Sequence, residues 1–422
     1  MKKKIATNGS TWLFIAACWV AYSFSYIGRL NFSASMADMT ASGVLLKSQA
    51  GSVTTGFFIC YGCGQLLSGW LGDRVTPRYL VFGGLLGASL CNLGIFFAPP
   101  LWAMITLWSI NGISQALLWA PIMRAVSDRV SMDKQQKTCT VLATTMAGGT
   151  LMAYILSAVL IKFFGWTAAF ISGTAGPLVA AIFWILVTTK LEKEADENGI
   201  EEELPAPVED EGESVPHDEV PQNIFKLLSV SGLLVLCIAS GVQGILKDCM
   251  STWVPTFITD VFHLESVVSI LTGTLLPIVG FFGPYAANKF YIKTRDELSA
   301  LFILFVISAA SLSLLVLFGS RSVVIAIVAL AVTYACALGQ NMFTVGRIPM
   351  YFSKVGKVSL ISGVMEATSY MGTACLTFIT GFLVEKLGWT FMMCVWLALA
   401  VVAAVSVAFA KRRWNKFRRN LF

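Results

Sequence analysis

Two basic residues stand out in the sequence because each lies in a long run of apolar residues. Arg29 and Lys247 interrupt stretches long enough to cross a bilayer. A charged side chain at the centre of a membrane helix costs roughly 2.5–3.5 kcal/mol on insertion scales, so such residues are usually retained for a function. Each of these two bases is therefore a candidate for binding a small anion.

The residues around Arg29 indicate a polar face. Helical spacing places Tyr22, Tyr26 and Ser33 on the same side as Arg29. Two phenols and a hydroxyl group are suited to the lining of a polar cavity. The alternative is that Arg29 marks the end of the first apolar run and extends to the membrane surface.

The residues around Lys247 leave two interpretations open. Gln243 and Ser251 lie four residues to either side of Lys247, on its helical face. Asp248 follows directly, but adjacent residues of a regular α-helix point about 100° apart and do not make an obvious pair. Lys247 either binds substrate or forms an internal ion pair with Asp248.

Further polar residues occur in other apolar runs. Gln115 and Trp119 are four residues apart and present an amide and an aromatic ring on one face. Glu366 is followed four residues later by Tyr370. A carboxylate at such a position pairs with a cation or transfers a proton, and the sequence does not decide between these roles.

The composition fixes the elements that must position these residues. Of the 422 residues, 56% are hydrophobic and 13% are charged, which excludes a soluble globular protein. Runs of about 20 apolar residues each predict an all-α polytopic membrane protein. Twelve such runs are present, at about 11–30, 50–71, 79–98, 101–125, 138–161, 167–189, 228–258, 267–288, 297–319, 323–346, 358–383 and 390–410.

The distribution of charge predicts the orientation and the domains. If both termini are cytoplasmic, 22 of the 30 bases lie on the inside and four on the outside, as the positive-inside rule requires. Thirteen of the 24 acids fall between Glu192 and Glu219, a composition typical of a solvated linker. We predict an N-terminal six-helix half (1–189), an acidic cytoplasmic linker (190–227), a C-terminal six-helix half (228–410) and a basic cytoplasmic tail (411–422).

The two halves share a weak repeat at an offset of 223 residues. Arg124 matches Arg347, and two Gly-containing strings recur at the same register, at 149–150 and 372–373 and at 165–167 and 388–390. A parallel duplication of six helices places a substrate site near the midplane. Arg29 and Lys247 lie in corresponding spans, which suits them to holding a dianion such as phosphate. Arg124 and Arg347 lie near inner helix ends, where we expect a gating role.

One loop carries a family signature. The string from Gly69 to Arg78, GWLGDRVTPR, resembles the G-x-L-x-D-R-x-x-x-R loop of the major facilitator superfamily. The resemblance implies that Asp73, Arg74 and Arg78 latch the cytoplasmic face. The loop after the eighth run, from Gly283 to Lys289, lacks the Asp-Arg pair.

Longer strings are similar to the organophosphate:phosphate antiporter family within that superfamily. Tyr26-Ile-Gly-Arg29-Leu-Asn31-Phe32 is similar to its Y-x-x-R-K-x-F, and the run from Asn111 to Arg124 is similar to its N-G-x-x-Q-G-x-G-W-P-P-x-x-R. The resemblance implies a phosphate clamp of Arg29 and Lys247, and a pocket lined by Tyr22, Tyr26 and Tyr370. Gln65 stands where the family often has a lysine, so the cavity has fewer positive charges than is usual.

These observations predict a secondary transporter of phosphorylated metabolites that works by rocker-switch alternating access. Arg29 and Lys247 would bind the anionic group, while Tyr22, Tyr26, Gln65, Gln115 and Tyr370 would form hydrogen bonds with the rest of the substrate. One alternative is a proton-coupled symporter of sugar acids or other carboxylates, with Glu366 or Asp248 in the coupling. Another is a transporter-derived ligand sensor.

The sequence contains no catalytic constellation, so we expect no enzymatic activity, no cofactor and no metal site. The expected partners are the small anion, a counter-substrate that is phosphate or a proton, and the lipid bilayer. We expect no nucleic acid partner, a monomer, and a location in a bacterial plasma membrane.

Overall fold

The computed structural model describes residues 3–72, 74–200, 224–352 and 358–421. Within these residues the secondary structure consists of helices and one isolated β-bridge. Ten helical segments of the described residues are long and apolar enough to cross a membrane. One of them, Leu360–Arg418, contains two of the predicted spans, and the helix Lys47–Gly72 covers a further one. All twelve predicted runs therefore lie on helices, and the prediction of an all-α membrane protein is confirmed.

The helices group into two compact units. The first unit contains the helices up to Asn198 and one short helix from later in the chain, which packs against α7. The elements of this unit are α1 Asn8–Ala41, α2 Lys47–Gly72, α3 Pro77–Phe96, α4 Leu101–Ala116, α5 Trp119–Arg129, α6 Met132–Ala143, α7 Thr145–Phe164, α8 Ala168–Asn198 and α12 Ser266–Gly273.

The second unit contains the other helices after Ile224. Two of its spans are interrupted by a segment of π-helix, in which the wider turn changes the direction of the side chains. The elements are α9 Ile224–Ser231, α10 Leu233–Gly244, the π-segment Ile245–Cys249, α11 Met250–Phe262, α13 Leu275–Gly280, α14 Gly283–Thr294, α15 Glu297–Phe318, α16 Val323–Asn341, the π-segment Met342–Arg347, α17 Ile348–Met350 and α18 Val358–Leu421.

The repeated Gly-Trp-Thr strings occupy the same kind of turn in both units. Gly165 ends α7 with φ 82° and ψ 175°, and Gly388 interrupts α18 with φ 77° and ψ 176°. A side chain disfavours this backbone conformation, so glycine is required at both turns. The turn at Gly388 divides α18 into the two predicted spans.

The eighth helix is longer than the sequence analysis predicted. We expected the acidic linker to begin at residue 190, but α8 continues to Asn198. Leu191 and Ala195 are buried, and Glu192 and Asp196 form ion pairs with Arg78 and Arg129 at 3.3 and 2.6 Å. The acids at this position extend the helix instead of solvating a linker, because an apolar stripe accompanies them. Residues 201–223 of the predicted linker lie outside the described residues, and its last four residues, 224–227, belong to α9.

Glycine permits a close approach between α2 and α4. A Cβ atom on Gly112 would lie 2.4 Å from the carbonyl oxygen of Phe57. We expect Gly112→Ala to push the two helices apart and to lower the free energy of unfolding by about 1–3 kcal/mol, the usual cost of overpacking. Thermal unfolding of the purified protein measures the change.

Gly83→Ala is the matched control, because a Cβ atom there has nothing within 4 Å. We expect the stability of this variant to stay within about 1 kcal/mol of the wild type. Equal melting temperatures for Gly112→Ala and the wild type would contradict the close contact.

Candidate functional site

Three aromatic rings surround the guanidinium group of Arg29. Its central carbon lies 4.7 Å from the ring centre of Tyr61, 5.4 Å from that of Phe57 and 5.8 Å from that of Tyr26. Aromatic faces attract a cation at these distances, more strongly when water is excluded. The rings therefore stabilise the positive charge of Arg29. Phe57 and Tyr61 contribute to the site although they were not among the predicted residues.

The first helix extends well beyond Arg29. We expected the first span to end near residue 30, which left room for Arg29 at the membrane surface. The helix continues to Ala41, so Arg29 lies in its interior and is half-buried. The uncharged polar residues after Arg29, among them Asn31 and Ser33, had obscured this extension because they lower the hydropathy.

Buried amide groups fix the backbone next to Arg29. The carbonyl oxygen of Gly28 accepts a hydrogen bond from Asn92 Nδ2 and another from Asn111 Nδ2, both at 2.9 Å. Asn31 Nδ2 donates to Asn92 Oδ1 at 2.7 Å. All three asparagines are fully buried. This network joins α1, α3 and α4 and holds Arg29 in place. Asn92 was missed, although an asparagine in an apolar run was a usable signal.

The remaining predicted residues of the first unit have different surroundings. Tyr22 contacts Tyr26 and Trp119, with ring centres 5.5 and 4.7 Å apart. Gln115 Nε2 donates to the backbone oxygen of Ser25 at 3.0 Å and is buried. Its amide nitrogen thus holds α4 against α1. Gln65 is half-buried on α2, four residues beyond Tyr61, which places it on the face of Tyr61.

In the second unit, Lys247 and Asp248 form an ion pair. Lys247 Nζ lies 3.2 Å from Asp248 Oδ2, and the two side chains are 9% and 14% exposed. Neighbouring residues of a regular α-helix were not expected to pair. Both residues lie in the π-segment Ile245–Cys249, where the helix is locally distorted, and the long lysine side chain reaches its neighbour. The expectation of divergent side chains was wrong for this reason.

Two further residues face Lys247 from α18. Lys247 Nζ lies 5.4 Å from the ring centre of Tyr370, and electrostatic interactions link Glu366 to Lys247 and Asp248. Glu366 and Tyr370 are four residues apart on one helical face. The structure thus places two carboxylates near one ammonium group. Gln243 instead donates to the backbone of α16 and accepts from Ser369, which makes it a packing residue.

The predicted gating residues have different surroundings in the structure. Arg78 pairs with Glu192, and Arg74 is exposed in the turn after α2. Arg124 lies 4.0 Å from Asp128, one turn along the same helix. Arg347 donates to Asn288 Oδ1 at 2.8 Å and lies over the ring of Tyr291 at 4.0 Å. Asp73 lies outside the described residues.

A network of charged residues joins the end of α18 to the start of α15. Arg418 Nη1 lies 3.1 Å from Glu297 Oε2, and the hydroxyl group of Tyr351 donates to the same carboxylate. Burial and the Glu297 carboxylate raise the pKa of Tyr351 to about 12, so the phenol stays protonated and remains a donor. Lys411 pairs with Asp296 at 3.3 Å. These contacts hold the end of α18 against the start of α15.

Comparison with known proteins identifies the family. The profile of the Major Facilitator Superfamily matches residues 18–349. The chain belongs to this superfamily. It is 24% identical to a probable hexose phosphate transport protein of Chlamydia muridarum, over 95% of this chain and 90% of that protein. Sequence relatives of this kind confirm the resemblance to the organophosphate:phosphate antiporter family.

Another relative has a different role. The chain is 23% identical to the membrane sensor protein UhpC of Salmonella typhimurium over 67% of its own length, and it covers 66% of that protein. Among solved structures, the transporter PepTSo of the POT family superimposes with a TM-score of 0.71 over 97% of this chain and 99% of that chain, at 14% identity. At that identity the likeness shows the fold alone.

Proposed function

We propose that the chain is a secondary transporter of a phosphorylated metabolite, such as a sugar phosphate or glycerol phosphate, and that it works by alternating access. Arg29 in the first unit and Lys247 in the second each bind the anion. The hexose phosphate transport protein among its relatives supports this substrate class.

The observation that supports the proposal most strongly is the setting of Arg29. A guanidinium group inside a membrane helix, with aromatic rings on several sides and its backbone fixed by buried amides, is held ready for a ligand. Arginine matches the geometry of a phosphate group because it donates two parallel hydrogen bonds. An anion that enters the site replaces the water lost when the cation was buried.

A screen for ligands by thermal stabilisation tests the substrate class. A ligand at 100 times its dissociation constant stabilises the folded state by about 2.7 kcal/mol. We expect glucose 6-phosphate, glycerol 3-phosphate or inorganic phosphate to raise the melting temperature of the purified protein, while gluconate and uncharged glucose leave it unchanged. Stabilisation by gluconate alone would contradict the proposal and favour a carrier of sugar acids.

A sensor is the second candidate, because a membrane sensor protein is among the relatives. Both functions require a ligand site, and only the transporter moves its ligand across the membrane. Uptake of labelled sugar phosphate into proteoliposomes separates them. Saturable binding without uptake would support the sensor.

Coupling to protons is the third candidate, because Glu366 and Asp248 accompany Lys247. We propose that the substrate exchanges with inorganic phosphate, and in such an exchange Glu366→Gln only removes a negative charge near Lys247. Apparent affinity for phosphate should then rise by at least about 10-fold, as expected for two charges within about 10 Å of each other at an effective dielectric constant near 20. Uptake kinetics in proteoliposomes, with and without a pH gradient, measure both properties.

Glu385→Gln is the control, since Glu385 is exposed elsewhere on α18. This variant should behave like the wild type. If a pH gradient drives wild-type uptake and Glu366→Gln abolishes only that component, the chain is a proton-coupled symporter and the exchange mechanism is wrong.

The proposal also includes a monomer in a bacterial plasma membrane with both termini in the cytoplasm. The bias of 22 bases to four supports this orientation. Inorganic phosphate is the proposed counter-substrate.

A further inference from the structure

The end of α18 combines an apolar groove with a basic surface. Between α15 and α18 lies a groove of about 380 Å³ with one polar end, formed by Ser299 and Lys411. The rest of its lining is apolar and consists of Leu298, Phe302, Ile303, Val407 and Ala408. Its volume and its apolar lining suit one acyl chain, while Lys411 at its polar end is paired with Asp296.

The outer face of α18 changes from apolar to basic at the same level. Val402, Val405 and Phe409 are 49%, 47% and 74% exposed on one face, as expected for side chains in contact with lipid. The same face continues in Arg412, Arg413 and Lys416, all of them exposed. A helix with this pattern leaves the hydrocarbon region at the point where the phosphate groups of the lipids lie.

The basic segment is held rigidly against the second unit. Trp414 is buried and packs near Phe352 and Phe417, with ring centres 6.2 Å from each. Arg418 and Lys411 form the ion pairs with Glu297 and Asp296. Lys411 and Arg418 therefore anchor the helix, while Arg412, Arg413 and Lys416 are exposed. A fixed array of cations loses little conformational freedom when it binds an anion.

We propose that this surface is a binding site for an anionic phospholipid. One acyl chain occupies the groove between α15 and α18, the other lies along the exposed apolar stripe of α18, and the headgroup phosphate contacts Arg412, Arg413 and Lys416 where that stripe ends. The occupant is a lipid and not a soluble phosphate, because the groove and the exposed stripe beside the cations are apolar. This site is separate from Arg29 and Lys247 and does not depend on the proposed transport function.

Native mass spectrometry of the full-length protein, titrated with phosphatidylglycerol or phosphatidylcholine, tests the proposal. The wild type should bind phosphatidylglycerol at least about tenfold more tightly than phosphatidylcholine, since each base near an anionic surface adds about 1 kcal/mol. The triple variant Arg412→Gln, Arg413→Gln, Lys416→Gln should lose this preference. Ala408→Trp, which fills the groove, should weaken the binding of phosphatidylglycerol and leave the three cations in place.

Two controls separate the lipid site from general electrostatics. The triple variant Lys137→Gln, Lys190→Gln, Lys193→Gln removes three exposed bases from the first unit and should keep the preference. Inorganic phosphate at millimolar concentration should not displace the lipid. Equal loss in both triple variants, full binding in the first, or displacement by inorganic phosphate would each overturn the proposal. Melting temperatures without added lipid verify that every variant is folded.

Discussion

Replacing Arg29 with alanine should lower the rate of sugar phosphate uptake at subsaturating concentration by at least about 30-fold. Truncation of one partner of a buried, hydrogen-bonded charge pair costs about 2–5 kcal/mol, and 1.4 kcal/mol corresponds to a factor of ten. The three rings around Arg29 remain in the variant, but without the guanidinium group they offer an anion only weak interactions. Initial rates of uptake into proteoliposomes measure the effect.

Two further variants show whether the loss comes from the guanidinium group itself. Arg29→Lys keeps the charge and loses the planar, bidentate donor, so we expect partial activity. Arg321→Ala removes an exposed base from a turn in the second unit and should leave uptake unchanged. Because removal of a buried charge also affects folding, melting temperatures accompany the rates. Wild-type uptake by a folded Arg29→Ala protein would exclude Arg29 from the substrate site.

The second large effect concerns the ion pair of Lys247 and Asp248. Lys247→Met leaves the Asp248 carboxylate buried without its cation, which should lower the free energy of unfolding by about 3–5 kcal/mol. The double variant Lys247→Met, Asp248→Asn removes both charges of the pair and should recover about half of that loss, because the Glu366 carboxylate still lacks the nearby cation. Denaturant titration in detergent measures the four stabilities of the cycle.

The exposed pair of Lys193 and Glu197 provides a matched control. Its atoms are 4.0 Å apart and its side chains are 78% and 60% exposed, so the coupling energy should be at most about 0.5 kcal/mol. Uptake distinguishes the functional role from the structural one. We expect the double variant to be stable and yet inactive, because Lys247 binds the anion. A stable double variant with wild-type uptake would show that the pair is structural only.

Much of the fold could be predicted from the sequence, because a run of about 20 apolar residues indicates a membrane helix. The break between the last two apolar runs was evident from hydropathy, and the structure places a turn there at Gly388. The end of α1 was not evident. Polar residues after Arg29 reduce hydropathy, yet in the structure the amide nitrogen of Asn31 donates hydrogen bonds inside the bundle to Asn92 Oδ1 and to the backbone oxygen of Ala169.

The charged residues of the candidate site could be selected from the sequence, but the contacts that they make could not. A base in an apolar run is visible in one sequence, so Arg29 and Lys247 could be selected. The pairing of Lys247 with Asp248 depends on a π-segment, and a local change of helical pitch has no periodic signal. Gln115 illustrates the converse case. Its spacing suggested a cavity residue, and only the packing of α4 against α1 shows that its amide is used for structure.

The most direct test of the proposed phosphate exchange is a transport measurement with the wild-type protein in proteoliposomes. Vesicles loaded with inorganic phosphate are diluted into labelled glucose 6-phosphate, with empty vesicles and gluconate-loaded vesicles as references. We expect rapid accumulation of label in the phosphate-loaded vesicles alone, unaffected by an uncoupler of proton gradients. Two results would contradict the proposed exchange. One is accumulation that requires a pH gradient, and the other is a protein that binds glucose 6-phosphate and yet accumulates no label in any of the vesicles.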